Sequence, residues 1–247
     1  MVSNNMVFDL GFHLGEDTEF YLSKGFNVVA VEANPLLANK GSEKFKKYIK
    51  SGKLILLNKA VTNPDKTKSN FYIHPNKSDW SSCFRELAES DGTKAKTVCV
   101  EATNLYQLVA TYGIPRYVKT DIEGFDIEVA RQLLLLDKKP LYVSFETNKK
   151  DYAAIFSYLF VAGYKHFQLV NQANHPYRAV LNKNGEGSKN TDYKFDCYSS
   201  GYFGKDLPAD KWLSYGEALE RYIKYKELKQ LDNKELALGW IDLHAKL

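Results

Sequence analysis

The stretch VFDLGFHLG, residues 7–15, decides how the rest of the chain is read: an apolar run ends in an acidic residue and two glycines four apart. Val7, Phe8 and Leu10 are the residue types of a strand buried on both faces, as in a parallel sheet. Asp9 sits near the carboxyl end of that strand, Gly11 and Gly15 bracket a turn, and the helix-like EDTEFYLSKG (16–25) follows. Strand, glycine turn and helix form the opening unit of a doubly wound α/β sheet. Glycine at 11 lets backbone approach a ligand closely, and the helix start offers unpaired amides and the positive end of a dipole.

Two cofactor classes use such an opening, and spacing separates them. A dinucleotide site requires a third glycine, for close helix packing beneath a pyrophosphate; Asp17 or Thr18 stands there instead, which argues against NAD. An acidic strand end, a turn without the third glycine and a second acid after the next strand suit a cofactor with an amino acid part and a ribose. S-adenosylmethionine is such a molecule. The second acid is present: NVVAVEANP (27–35) is an apolar strand ending in Glu32, whose carboxylate can accept both ribose hydroxyls. Taken singly, each glycine is an ordinary turn and Glu32 an exposed strand end; their order along the chain makes the case.

Outward from this unit, the pattern predicts a helix from Thr18 to Lys24 stopped by Gly25, and a second helix from Pro35 to about Ile49. KLILLNKAV (53–61) reads as a third buried strand ending in Ala60 and Val61. Parallel strands in this order require right-handed crossovers. The rhythm then breaks. FYIH (71–74) is a short strand, and a polar loop through Asp91 contains SDWSSCF (78–84), where Ser81 and Ser82 can reach a cofactor and Trp80 can stack on adenine; an unremarkable surface loop is the alternative. TVCVEAT (97–103) alternates like a strand, and Thr103 or Asn104 can cap a helix over 104–112.

YVKTDIEGFD (117–126) mirrors the opening: an apolar strand ending in Asp121, then Glu123, Gly124 and a helix with Val129, Leu133 and Leu136 on its inner face. LYVSFETN (141–148) repeats the idea with Glu146. Four strands thus end in a carboxylate, although acidic residues are depleted in strands. In open α/β sheets ligands bind beyond the carboxyl ends of strands where strand order reverses, so Asp9, Glu32 and Asp121 should converge there. A helix from Asp151 to Ala162 and a strand GYKHFQLV (163–170) continue the pattern. Residues 171–210, with Asn171, His175, Tyr177, Tyr198, Tyr202 and Phe203, read as a substrate wall or lid with the polar and aromatic mixture of a carbohydrate site. The stretch 214–246 reads as two short helices.

The 247 residues suit one large α/β domain spanning 1–247. The net charge of +4 is spread over lysine-rich faces such as KGSEKFKKYIK (40–50), so a nucleic-acid partner is not expected. No apolar stretch reaches membrane-span length, and MVSNN lacks the basic and apolar regions of a signal peptide, so a cytoplasmic protein is expected. The three cysteines, Cys83, Cys99 and Cys197, form no paired motif and indicate neither disulfides nor zinc.

From Val7 to Glu146 the sequence resembles the FkbM family of S-adenosylmethionine-dependent methyltransferases. The carriers are DLGFHLGEDT (9–18), VVAVEANP (28–35), KAV (59–61), the serine pair 81–82, VKTDIEGFD (118–126) and SFE (144–146), with SSGYFGKDLP (199–208) similar to the closing segment of one branch. The resemblance implies a Rossmann-like, seven-stranded, mostly parallel sheet with helices on both faces, and O-methylation, often of a sugar or polyketide hydroxyl. It places Asp9, Gly11 and Gly15 along the methionine part, Glu32 on the ribose, and Ala60 and Val61 near adenine. The expected cofactor site also takes in Phe12, His13, Thr18, Ala33, Asn34, Ser81, Ser82 and Asp121. Phe12-His13 departs from the family, which commonly has small or polar residues there.

Methyl transfer from a sulfonium requires alignment of the acceptor oxygen and removal of its proton. Asp121, Glu123, Glu146 and His175 are the candidates for that proton. Asp121 and Glu146 are alternatively oxygen ligands for Mg²⁺, which would lower the hydroxyl pKa; Glu123 is alternatively a carboxylate that only stabilises a helix dipole. The expected acceptor is a sugar or glycan. Competing readings are a methyltransferase of another small molecule or of nucleic acid, a nicotinamide-dependent oxidoreductase, and a binding module on the same fold.

Overall fold

A computed structural model of the chain describes Ser3 and residues 5–147, 152–172, 185–196, 198–230 and 239–247. The first half runs β1 (Met6–Leu10), α1 (Glu16–Ser23), β2 (Asn27–Val31), α2 (Pro35–Lys44), α3 (Lys46–Lys50), β3 (Leu54–Leu57), β4 (Ala60–Val61), β5 (Lys68–Ile73), α4 (Arg85–Ala88) and β6 (Lys96–Thr103). The second runs α5 (Leu105–Tyr112), β7 (Tyr117–Thr120), α6 (Asp126–Leu135), β8 (Tyr142–Glu146), α7 (Tyr152–Val161), β9 (His166–Asn171), α8 (Tyr215–Gln230) and β10 (Ile241–Lys246).

Seven strands form one sheet in the order β3-β2-β1-β7-β8-β10-β9. All neighbouring pairs are parallel except those made by β10, which runs antiparallel to both β8 and β9. The side chains alternate across the sheet as a two-residue period demands. Phe8, Leu10, Val29 and Val31 enter one core with α5, α6, α7 and α8, through residues such as Leu108, Leu133, Phe156 and Tyr222. Val7, Val28 and Ala30 enter the opposite core with Phe20, Tyr21 and Leu22 of α1 and with Phe195, Tyr202 and Phe203. This is the expected seven-stranded, mostly parallel sheet with helices on both faces.

Order reverses between β1 and β7. The chain steps from β1 outward to β2 and β3, then returns to the other side of β1 and steps outward again through β7 and β8. Gly11 closes that seam: its φ is +91°, and a Cβ there would lie 1.8 Å from the Asp121 carbonyl oxygen.

Three expectations are corrected. KLILLNKAV is two strands, because Asn58 turns its side-chain amide to the carbonyls of Glu32 and Ala33, and Ala60–Val61 then joins a second sheet, β4-β6-β5. Among the described residues, 214–246 hold one helix, α8, and the interior strand β10, which buries Ile241, Leu243 and Ala245 on one side and Asp242 and His244 on the other. Tyr202 and Phe203 of the expected substrate wall are buried in the core; Phe203 stacks on Tyr117 at 4.0 Å between ring centres, because α1 and the sheet leave an aromatic-lined groove that only apolar surface can fill.

The described part of 185–210 is held onto α1 and the sheet by ion pairs. Lys24 Nζ lies 3.1 Å from Asp206, and Arg116 pairs with Glu186 at 2.5 Å. Among the described residues no helix is long and apolar enough to cross a membrane, and Cys83 and Cys99 are free thiols.

Candidate functional site

A cavity of about 480 Å³ opens along the carboxyl ends of β2, β1, β7 and β8, over the point where strand order reverses. Its volume is that of a small-molecule site. Of the residues marked in the sequence, Gly11, Phe12, His13, Glu32, Ala33, Ala60, Val61, Ser81, Asp121, Glu123 and Glu146 line it. The lateral order of the strands grades the lining. Val31, Ala33, Leu37, Ala60, Val61 and Phe71 form an apolar end beside β2 and β4, and Asp121, Glu123 and Glu146 form an acidic end beyond β7 and β8.

Glu32 is buried at the end of β2, and its two carboxylate oxygens accept the backbone N–H groups of His13 and Asn34, each at 2.7 Å. Burial pushes its carboxyl up to about 7, against the pull of those two hydrogen bonds. His13 follows the glycine turn with φ 52°, in the left-handed region uncommon for a side-chain-bearing residue. Its Nδ1 faces Glu16 Oε1 at 3.2 Å and its Nε2 faces Ser78 Oγ at 2.8 Å.

Five marked residues stand behind the lining. Asp9 is fully buried, accepts the Thr18 hydroxyl at 2.6 Å and lies 3.5 Å from Lys119 Nζ; Asp9 and Thr18 therefore brace the turn from beneath. Gly15 is needed for packing, since a Cβ there would meet Phe45 and Phe12 within 2.8 Å. The Asn34 side chain caps α2 by accepting the Leu36 N–H at 3.0 Å. Ser82 is buried and donates to the Glu123 carbonyl at 2.5 Å, anchoring the turn after β7. Ser81 lines the cavity but also accepts the His74 N–H at 3.1 Å. His175 and Tyr177 lie outside the described residues. Of 171–210 only Gln172 and Tyr198 line the cavity among the described residues.

Sequence reasoning gave no role to Lys119, which proves to be the hub of the floor. Its ammonium donates to the Gly11 carbonyl at 2.9 Å and sits 3.5 Å from Asp9, 3.6 Å from Asp17 and 3.9 Å from Asp121. Burial opposes its charge, but these carboxylates hold it protonated, well above the ordinary lysine value. Asp17 in turn accepts the N–H groups of Ser200, at 2.9 and 3.1 Å, and Gly201, at 3.2 Å. Burial raises Asp17 to about 6 despite Lys119. The available signal was a lysine inside the apolar run YVKT, since lysine is almost never fully buried unless paired.

The charge of the lining is unequal: seven carboxylates, Glu16, Asp17, Glu32, Asp79, Asp121, Glu123 and Glu146, face three lysines, Lys59, Lys77 and Lys119. The cavity therefore favours a cationic occupant and disfavours a pyrophosphate or a nucleic-acid backbone. The ligand atoms of Asp121, Glu123 and Glu146 lie within 4.8 Å of one another, a set of hard oxygen donors. At the rim, Trp80, Tyr198 and Trp240 are exposed aromatic walls.

No curated protein matches the sequence significantly. Among solved structures, the human methyltransferase 10 domain containing protein is 12% identical with a TM-score of 0.37, over 68% of this chain and 65% of that one. The chain thus spans just under two thirds of that structure's length. The precorrin-6y C5,15-methyltransferase of Geobacter metallireducens GS-15 is 10% identical with a TM-score of 0.38, over 99% of this chain and 80% of that one. The [4+2]-cyclase SpnF is also 10% identical, with a TM-score of 0.38, over 100% of this chain and 75% of that one. Residues 9–166, well over half of the chain and all four strand-end acids, match the methyltransferase FkbM domain, and the chain belongs to that family.

Proposed function

We propose that this protein is an S-adenosylmethionine-dependent O-methyltransferase, residues 1–247 acting as one unit, and that its acceptor is a hydroxyl of a sugar in a glycan or glycoconjugate in the cytoplasm. The observation that carries the reading is the graded cavity: apolar walls at Ala60 and Val61, a buried carboxylate at Glu32, and surplus negative charge toward Asp121, Glu123 and Glu146. The donor set fits the cofactor. Ala33, Ala60, Val61 and Phe71 offer apolar surface to a purine, Glu32 retains lone pairs for two ribose hydroxyls, and the acid surplus complements a sulfonium and an ammonium group.

When bound, the cofactor supplies a methyl group that passes from sulfur to the acceptor oxygen, leaving a neutral thioether. The chain's own contribution is alignment and proton removal. Lys119 fixes the Gly11 carbonyl and Asp121 on either side of the seam. The acceptor proton passes to a carboxylate oxygen of Asp121, Glu123 or Glu146, which lie within 4.8 Å of one another. The same three would hold Mg²⁺, whose chemistry there is to lower the pKa of the hydroxyl. Trp240 and Tyr198 supply aromatic faces on which a sugar ring can pack. The surplus of carboxylates disfavours a nicotinamide dinucleotide or a nucleic-acid acceptor in this cavity.

The test is transfer of a labelled methyl group from S-adenosylmethionine to a panel of oligosaccharides, with and without EDTA. Label in a methyl ether on sugar supports the reading. Label only on a nitrogen acceptor, or transfer to polynucleotide alone, overturns the acceptor assignment.

A further inference from the structure

One side chain of the cavity lining, His13, joins three separate segments. It belongs to the turn between β1 and α1. Its Nε2 meets Ser78 Oγ at 2.8 Å, in the 3₁₀ turn Ser78–Trp80 that leads into the serine pair. Its ring lies 5.4 Å from that of Tyr198, which comes from the segment following the aromatic core residues of 185–196. Its Nδ1 faces Glu16 Oε1 at 3.2 Å, and a carboxylate accepts only, so Nδ1 carries the proton, while Nε2 and the Ser78 hydroxyl share a hydrogen bond. The backbone N–H of the same residue is bonded to Glu32.

The segment it holds springs from the small sheet and is braced at its base by Ser82 on the Glu123 carbonyl and within itself by His74, which packs 5.9 Å from the Trp80 ring, and by the Lys77–Asp91 pair. Tyr72 and Ser82 exchange backbone hydrogen bonds at its base, 2.7 and 3.1 Å, whereas its tip carries Trp80, 38% exposed, with Lys77 Nζ 3.4 Å above the indole. The bond from Ser78 to His13 ties that tip to the cofactor turn itself. Both residues line the cavity, as does Trp80.

We infer that His13 is a positioning residue that latches the 78–80 turn onto the cofactor turn, holding Trp80 over the cavity and so retaining a bound nucleoside. This rests on the reading of the cavity as a cofactor site and goes beyond it, assigning to one side chain the control of cofactor escape. A bridge that must open for the ligand to leave must also open for it to enter, so the latch slows passage in both directions.

The experiment compares release of S-adenosylhomocysteine from the wild-type protein and from His13→Asn, Ser78→Ala and the double variant, by stopped-flow displacement. Asparagine tolerates the left-handed backbone at 13 but is too short to reach Ser78. Loss of one such bond predicts about tenfold faster release for each single variant, with association faster by a similar factor and Kd within about twofold of wild type. Because the bond to Ser78 is already lost in His13→Asn, which also gives up the contacts with Glu16 and Tyr198, the double variant should release no more than about twofold faster than that single variant. A merely structural role for His13 would lower the association rate or the melting temperature instead. Unchanged release in His13→Asn, or a double variant whose effect is the product of the singles, overturns the latch while leaving the cofactor site standing. Failure of the wild-type protein to bind S-adenosylhomocysteine overturns both.

Discussion

Cofactor binding should weaken in acid because of one buried carboxylate. Glu32 has its carboxyl raised to about 7 by burial, and it is the ionised form that accepts hydroxyls at both oxygens. The sign follows directly. A group that must be deprotonated in the complex releases a proton on binding, so acid opposes binding and alkali does not help beyond the free-state pKa. With that value near 7, the apparent affinity for S-adenosylhomocysteine should fall about tenfold from pH 8 to pH 6. Glu32→Gln supplies the reference, since it removes the titration but keeps the shape. It also turns an amide N–H toward the backbone N–H of His13 or Asn34, which the carboxylate now accepts at 2.7 Å. Losing charged acceptors for two hydroxyls should cost about 3 kcal/mol, or roughly 100-fold in Kd, at pH 8. Asp17, raised to about 6, titrates in both proteins, so the ratio of the two profiles isolates Glu32. Calorimetric titration from pH 5.5 to 8.5 is the assay. A wild-type affinity that is flat across this range, or that strengthens in acid, refutes the assignment of Glu32 to the ribose.

Other consequences follow from the floor of the site. Lys119→Met leaves Asp9 and Asp17 buried without their cation, which should destabilise the fold by about 3–5 kcal/mol and lower the melting temperature by about 10 °C; an unchanged or higher melting temperature would contradict the hub. Gly11→Ala places a Cβ 1.8 Å from the Asp121 carbonyl and should abolish ligand binding, whereas Gly52→Ala, where φ is +70° and no atom lies within 4 Å, should cost only about 1 kcal/mol by thermal denaturation. If the three acids hold a divalent ion, Mn²⁺ titration followed by electron paramagnetic resonance will show one site in the wild-type protein and none in Asp121→Asn/Glu146→Gln; equal uptake by both would place the metal elsewhere.

The parts of the molecule legible in the sequence are those where local pattern and tertiary position agree. The runs around Phe8, Val29 and Val118 are apolar on both faces because their strands are buried on both faces, and their terminal acids stand out against that background. Glu32 was readable for this reason. Asp9 and Thr18 were readable as belonging to the site but not as its underside, because which side a strand-end residue faces depends on neighbouring strands. Strand β10 carries the apolar–polar alternation of a strand in IDLHAK, which the reading of 214–246 as helices missed; what its pattern does not carry is the burial of Asp242 and His244, made possible by partners distant in sequence, such as Gln172, which donates to Asp242 at 2.6 Å. Lys119 was hidden by the ordinary rule that lysine is exposed. Tyr202 and Phe203 looked like ligand surface because an aromatic in a polar segment carries no mark of whether a core or a substrate covers it. The bond between His13 and Ser78 spans 65 positions and has no local signature.

The most direct measurement is calorimetric titration of the wild-type protein with S-adenosylmethionine, S-adenosylhomocysteine and, as contrast, NADH. The account predicts saturable binding of the first two at one site per chain, lost or at least 100-fold weaker in Glu32→Ala, and no binding of NADH. Saturable binding of NADH, or no binding of either methionine-derived compound, would contradict it.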